Sequence, residues 1–262
     1  MNKLLVVAKN PETYFIKRLI EEVGQQTIVL FNPWKDQNPQ GFDRILFRSS
    51  GIYHSDADLD FVRKASVPVL NPLESLLRFR SKSSQYQWFK EQSHPHIPWQ
   101  WLKDFTGGTG WFLVKPDLGQ GGWGIQVLTS SQMLSFKEQQ MVKGDLSWLV
   151  QPYVEATEYR VFFMGEDRFT LKRSAGEGKV ASNFSQEGLA ELVTMPAHMV
   201  SMVERLIKES GAYYGAIDLL DPDEGPVVLE VNMVPGIEQL EQLTHLNIIS
   251  RFMTANFFCQ KS

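Results

Sequence analysis

Three oxygen-bearing side chains near the end of the sequence carry the strongest chemical signal. Asp218 closes the run Gly215-Ala216-Ile217-Asp218, and Glu230 and Asn232 lie in Leu229-Glu230-Val231-Asn232-Met233-Val234-Pro235-Gly236. Residues two apart on a strand face the same side. Glu230 and Asn232 therefore project together while Val231 points into a core. Tyr214–Leu220 and Val227–Val231 read as a hairpin around Asp221-Pro222-Asp223-Glu224-Gly225-Pro226. That hairpin sets Asp218 across from Glu230, directly or within one residue of register. Such oxygens suit a hard cation: magnesium takes one or two carboxylates and completes its octahedral shell with phosphate oxygens and water. Asp218 and Glu230 can hold one ion. Glu230, bridging, and Asn232 can hold a second. The plain alternative is a set of solvated strand ends.

A second group of residues suits an anion. In Val114-Lys115-Pro116-Asp117-Leu118-Gly119-Gln120-Gly121-Gly122-Trp123-Gly124, a lysine leaves one apolar strand just before a loop with glycines at 119, 121, 122 and 124. Glycine lets backbone N–H groups turn toward an anion with no Cβ in the way. The loop joins two strands, so it differs from the phosphate loops that open a helix. A flap closing over a polyphosphate is expected, with a mobile turn as the bland alternative. Trp123 is expected to pack, against a nucleotide or against the adjoining strand. Lys82, in Arg80-Ser81-Lys82-Ser83, starts a helix that carries Tyr86 and Phe89; taken alone it reads as a surface lysine.

The elements that must position these groups follow from periodicity. Leu4–Ala8, Thr27–Phe31, Arg44–Arg48 and Val67–Leu70 read as strands. Thr13–Val23, ended by Gly24, and Asp58–Lys64 read as helices between them. This alternation implies a parallel sheet with helices on its faces. A helical stretch covers Pro72 to about Gln92, and His94-Pro95-His96-Ile97-Pro98 breaks it. Strands are then expected at Trp111–Lys115, Gly124–Leu128 and Trp148–Val154, with a helix near Ser131–Met141. Tyr159–Met164 and Phe169–Lys172 form a further pair. Ser174–Gly188 is rich in glycine and small polar residues. Ala197–Lys208 is an amphipathic helix before Gly211, and a last helix covers about Ile248–Phe258.

Composition narrows the function classes. The chain has 262 residues and a formal net charge of -4, from 26 Lys plus Arg against 30 Asp plus Glu. That balance does not resemble a nucleic-acid binder. No segment approaches a membrane span, and the short apolar run at the N-terminus reads as a buried strand. One cysteine, Cys259, excludes an internal disulfide framework. A cytoplasmic setting fits. His94 and His96 flank Pro95, and His54, His198 and His245 are scattered, so a zinc site is not expected. Trp99 and Trp101 are expected to pack between domains.

Lys115 with its glycine loop, Val150-Gln151-Pro152-Tyr153-Val154, Glu158-Tyr159-Arg160, Asp218, and Glu230-Val231-Asn232 with Pro235-Gly236 occur in this order. The chain resembles the ATP-grasp superfamily, and within it the RimK-like ligases that add glutamate to a protein C-terminus or build related peptides. Asn71-Pro72 followed by Lys82 adds to the resemblance, which covers most of the chain. It implies an α/β (α+β) ATP-grasp fold. A short N-terminal parallel α/β domain, 1–75, would precede two α+β subdomains, 76–152 and 153–262, that clamp ATP. Lys82 and Lys115 match the lysines that contact phosphates, with Gly119, Gly121, Gly122 and Gly124 in the flap. Gln151, Pro152, Tyr153 and Val154 match the adenine linker, and Glu158 the ribose-binding acid. Asp218, Glu230 and Asn232 match the magnesium ligands, for two ions, with manganese as a substitute. Arg160, Arg173 and Asn183 match positions facing the substrate carboxylate and acyl phosphate.

The implied activity joins a carboxylate to an amine through an acyl phosphate. The substrates are small molecules or peptides, with a protein tail and a homo-oligomer both compatible. No nucleic acid or membrane partner is implied, and no general base is evident, so the amine would bind deprotonated. A nucleotide-binding protein without turnover is the alternative. Pro152 departs from the acidic residue usual there and offers no N–H, so the donor to adenine must be Tyr153 or Val154. Ser185-Gln186-Glu187-Gly188 replaces the usual basic residue and paired glycines, and the N-terminal domain is short.

Overall fold

A run of apolar residues with no polar alternation belongs to a strand buried on both faces. β1 (Leu4–Val7) is such a strand, every residue of it buried. The computed structural model describes residues 4–8, 10, 12–24, 28–31, 42–49, 56–119, 121–174 and 189–255. Asn183, His54 and Cys259 lie outside them, as does most of 174–188. β1 pairs in parallel with β2 (Ile28–Phe31) and β3 (Arg44–Phe47), and β3 with β4 (Val69–Leu70), in the order β2-β1-β3-β4. α1 (Tyr14–Val23) buries Phe15, Ile16 and Leu19 and ends at Gly24, whose N–H bonds Ile20 O at 3.0 Å. α2 is Asp56–Lys64.

The single helical stretch expected from Pro72 to Gln92 is two helices, α3 (Leu73–Arg78) and α4 (Lys82–Glu91). Ser81 adopts an extended backbone, and its hydroxyl accepts from Ser84 N–H at 3.2 Å, which starts α4 afresh. β5 (Gln100–Trp101) and a 3-10 turn (Leu102–Asp104) follow. β6 (Trp111–Pro116), β7 (Gln126–Thr129), α5 (Ser130–Lys143) and β8 (Trp148–Pro152) then complete an antiparallel sheet ordered β5-β8-β6-β7. Thr129 and Gln132 form a capping box at the start of α5, and Gly144 closes it with φ 71°. This sheet has its own core of Leu102, Phe105, Phe112, Val114, Met133, Phe136 and Val150.

The remaining strands are β9 (Thr157–Met164), β10 (Asp167–Ser174), β11 (Leu189–Val193), β12 (Tyr214–Asp221) and β13 (Val227–Asn232). They form an antiparallel sheet ordered β11-β10-β9-β12-β13. α6 (Ala197–Ser210) packs Met199, Val203 and Leu206 inward. α7 (Glu238–Thr244) and α8 (Ile248–Met253) follow β13. β5, β11 and α7 were not expected from periodicity.

The first and third sheets share two cores. Leu5 and Val7 of β1 join Tyr86, Trp88 and Phe89 of α4 and Val161, Ile217 and Val231 of the third sheet. Leu4 and Val6, on the opposite face, join Phe15, Phe162, Tyr214 and Phe252. Trp99 and Trp101 meet edge to face at 5.5 Å and pack against the first of these cores. No helix among the described residues is long and apolar enough to cross a membrane.

Candidate active site

A cleft of about 400 Å³ lies between the central sheet and the C-terminal sheet. Its floor is β9, β12 and β13. Asp218 stands opposite Arg160 on one side and Glu230 on the other, and Arg173 of β10 stands opposite Glu158. Arg160 Nε donates to Asp218 Oδ1 at 2.6 Å and Nη2 to Oδ2 at 2.5 Å, a bidentate pair. Arg173 Nη1 donates to Glu158 Oε1 at 2.9 Å and lies 3.9 Å from Asp218 Oδ1. Burial pushes the Asp218 carboxyl up, but the Arg160 guanidinium outweighs it and holds the group below its usual value. Burial and then the charge of Asp218 push Glu158 up to about 7 against the pull of Arg173.

The register predicted for Asp218 and Glu230 is the observed one, with a complication beside it. Leu219 pairs with Val228, so Leu229 is an extra residue on β13, a β-bulge. Consecutive residues of a regular strand face opposite sides. Here Leu229 and Glu230 both line the cleft, as does Asn232. The bulge adds an apolar wall residue without turning the carboxylate away. Sequence alternation cannot show this, whereas Leu113 and Leu220, two residues from Lys115 and Asp218, were readable as cleft walls.

Opposite the floor, Lys115 extends from β6. Burial holds its ammonium down to about 8, opposed by the charge of Glu230. Its Nζ donates to the Tyr86 hydroxyl. Lys82 opens α4 and donates to Gly119 O at 3.0 Å, while Asp117 Oδ1 accepts from Ser83 N–H at 2.8 Å. Both lysines are buried and both line the cleft, so Lys82 is not the surface lysine it resembles in isolation. Gly121 and Gly122 line it too, at φ 63° and 70°, where a side chain is strained. Gly119 and Gly124 do not line it. Gly119 turns its carbonyl to Lys82, and Gly124 lies against Pro116 and Trp148. Trp123 does not pack on the adjoining strand: it is 78% exposed.

Gln151, Pro152, Tyr153 and Val154 form one wall with Ile97. Gln151 faces inward and donates from Nε2 to Ile97 O at 3.2 Å. Tyr153 N–H is already bonded to Trp111 O at 2.8 Å. That leaves Val154 N–H as the donor this wall can offer. His94 and His198 lie against carboxylates instead, with Nε2 2.9 Å from Glu209 Oε2 and Asp221 Oδ1 respectively.

Among the described residues no group of three or more His, Cys, Asp or Glu side chains is arranged to hold a metal. Two carboxylates and one amide are nevertheless a hard donor set that leaves most of an octahedral shell to phosphate and water, which fits magnesium. Asn232 Oδ1 accepts from Val234 N–H at 2.9 Å, which fixes the amide against the following turn.

Comparison with known proteins places the fold and the family. A probable alpha-L-glutamate ligase of Trichodesmium erythraeum is 26% identical over 286 residues, covering 96% of this chain and 94% of the relative. A RimK domain ATP-grasp protein of Sphaerobacter thermophilus superposes with a TM-score of 0.74 at 16% identity, over 97% of this chain and 98% of that one. The ATP-grasp ligase PsnB, in complex with a precursor variant, Mg and ADP, superposes with a TM-score of 0.72 at 15% identity, over 96% of each chain. A RimK-like ATP-grasp domain model matches residues 113–255. With that match running over more than half its length, the chain belongs to the RimK-like ATP-grasp family.

Proposed function

We propose that this protein is an ADP-forming ligase that joins a carboxylate to an amine through an acyl phosphate, with glutamate as the amino acid added. The observation that carries the reading is the cleft itself. Two buried lysines and a glycine turn face a floor of paired carboxylates and arginines across a space suited to a nucleotide. The name of the Trichodesmium relative supports glutamate. Residues 1–75, 76–152 and 153–262 are taken as the three units.

In the first step a substrate carboxylate attacks the γ-phosphate of ATP, an approach of anion to polyanion; the β–γ bond breaks, ADP leaves and an acyl phosphate forms. Lys82 and Lys115 neutralise the phosphates, and the N–H groups of the 121–122 turn cradle them. Asp218, Glu230 and Asn232 would hold magnesium, two ions in this reading, which when bound would supply Lewis-acid charge neutralisation at the phosphates. The adenine lies against Ile97, Leu113 and Leu229 and bonds the Val154 N–H, while Glu158 accepts from the ribose hydroxyls. Arg160 and Arg173 orient the attacking carboxylate and then stabilise the tetrahedral oxyanion as the amine attacks and phosphate leaves. Asn183 is assigned to the same end of the substrate.

Magnesium-dependent ADP release, screened over amino acids and short peptides, tests this. Release stimulated by glutamate with a peptide acceptor is expected. Release with other amino acids alone removes the substrate assignment. ATP binding with no substrate-stimulated release removes the ligase and leaves a nucleotide-binding protein. Glu230→Ala is expected to abolish turnover and the magnesium-dependent part of ATP affinity; unchanged turnover removes the metal assignment.

A further inference from the structure

β13 is the edge strand of its sheet; the 95–96 segment bridges its outer row only at Val228, whose N–H bonds Pro95 O at 2.8 Å, and beyond that, among the described residues, the row has no strand beside it. α4 lies along that edge and supplies side chains in place of a strand. Gln85 Oε1 accepts from Val231 N–H at 2.8 Å, and Tyr86 OH donates to Leu229 O at 2.9 Å. The two bonds fall on either side of Glu230. Leu229 is the bulged residue, so Tyr86 meets the carbonyl at the point where the ladder loses register. Both side chains are buried, and Gln85 is itself fixed by Nε2 donating to Phe79 O at 3.1 Å. The Tyr86 hydroxyl also accepts from Lys115 Nζ. One helix thus touches the backbone flanking a cleft carboxylate and the ammonium that faces it.

We propose that Gln85 and Tyr86 are positioning residues that hold Glu230 at the aim set by the bulge, and that Tyr86 fixes the spacing between Lys115 and that carboxylate. The proposal rests on the reading of Glu230 as a metal ligand and Lys115 as a phosphate ligand. An edge strand left to solvent pairs with water and samples several local twists; a bulged one has fewer ladder bonds to resist this. Side chains that orient a metal ligand act on metal affinity, and their removal costs about 10–100-fold. A role confined to satisfying buried backbone groups lowers stability alone.

Calorimetric binding of a non-hydrolysable ATP analogue, adenylyl imidodiphosphate, with and without magnesium separates these. The wild-type protein is expected to bind more tightly with magnesium, and Glu230→Gln to lose that gain. Absence of the gain in wild type, or its persistence in Glu230→Gln, overturns the metal reading and this inference with it. Where the metal reading stands, Gln85→Met is expected to reduce the magnesium gain by about tenfold and to leave magnesium-free binding within about twofold, as expected for a group acting only through Glu230. Tyr86→Phe, which keeps the ring against Phe89 and Trp99, is expected to weaken binding in both conditions because it also releases Lys115. Full retention of the gain in Tyr86→Phe, with only a lowered melting temperature, overturns the inference even if Gln85→Met does not fold.

Discussion

Lys115 shows what the cleft costs the fold. Its folded pKa of about 8 lies below that of an exposed lysine, because burial disfavours the ammonium. The penalty is therefore present in full below pH 8 and is relieved as pH rises toward the unfolded value near 10.4. Lys115→Met is expected to be more stable than wild type at pH 7 by about 1–3 kcal/mol, to lose that advantage by about pH 10, and to have almost no activity. Denaturant unfolding of both proteins at the two pH values checks this; a pH-independent difference contradicts it. Arg173 has a different task. Arg173→Ala is expected to reduce kcat/KM for the acid substrate by about 100-fold, the loss typical of a missing oxyanion donor. Arg173 also pulls the Glu158 carboxyl down, so its loss lets that carboxyl rise further. Nucleotide affinity should hold at alkaline pH, where Glu158 is ionised, and as pH falls it should be lost at a higher pH than in wild type. Loss of nucleotide affinity that persists at alkaline pH would place Arg173 on the ATP side instead. At this scale much was readable, because alternation on a strand puts Glu158 beside Arg160 and Glu230 beside Asn232. The partners of Lys82 and Lys115 were not, since Gly119 and Tyr86 are set by how separate elements meet.

Elements define the precision of the site. Gly215 precedes the residue paired with Asn232, and a Cβ there would lie 2.7 Å from the Phe163 ring and 2.9 Å from Asn232 O. Gly215→Ala is expected to destabilise the protein by about 1–3 kcal/mol through overpacking and to weaken magnesium-dependent nucleotide binding, since the strain falls on the turn carrying Asn232. Thermal melts and analogue binding check both halves; an unaffected magnesium response would mean that β12 absorbs the strain. The long strands β9, β12 and β13 and helix α6 were legible from two-residue and 3.6-residue periods. β5 has two residues, too few for any period. β11 exposes Leu189 and Leu192 and buries no alternate face. α7 is short and mostly polar; it buries Leu240 in the second core and is tied to α1 by Glu241, which accepts from Tyr14 OH at 2.6 Å. The break between α3 and α4 depends on a capping serine that one helical period running across it concealed.

The molecule divides unevenly. The first and third sheets are welded through two shared cores, whereas the central sheet has a core of its own and joins the first shared core through Leu149 of β8 and Trp101 of β5. Two unfolding transitions are expected by calorimetry without nucleotide, the central sheet first. Magnesium and ATP analogue together, which bridge the sheets, should raise the first and merge it with the second by mass action. A single transition insensitive to ligand would contradict this. The pairing of Arg160 with Asp218 bears on how such a molecule is loaded and emptied. A tethered guanidinium already neutralises that carboxylate, so, on the proposed reading of Asp218 as a metal ligand, an unescorted magnesium ion would have to displace a rival that never diffuses away. On that reading the metal would enter in the company of a triphosphate, whose own charge would give the arginine somewhere else to go. On the same reading, departure of the phosphates would let the guanidinium return to Asp218 and compete with the metal for it.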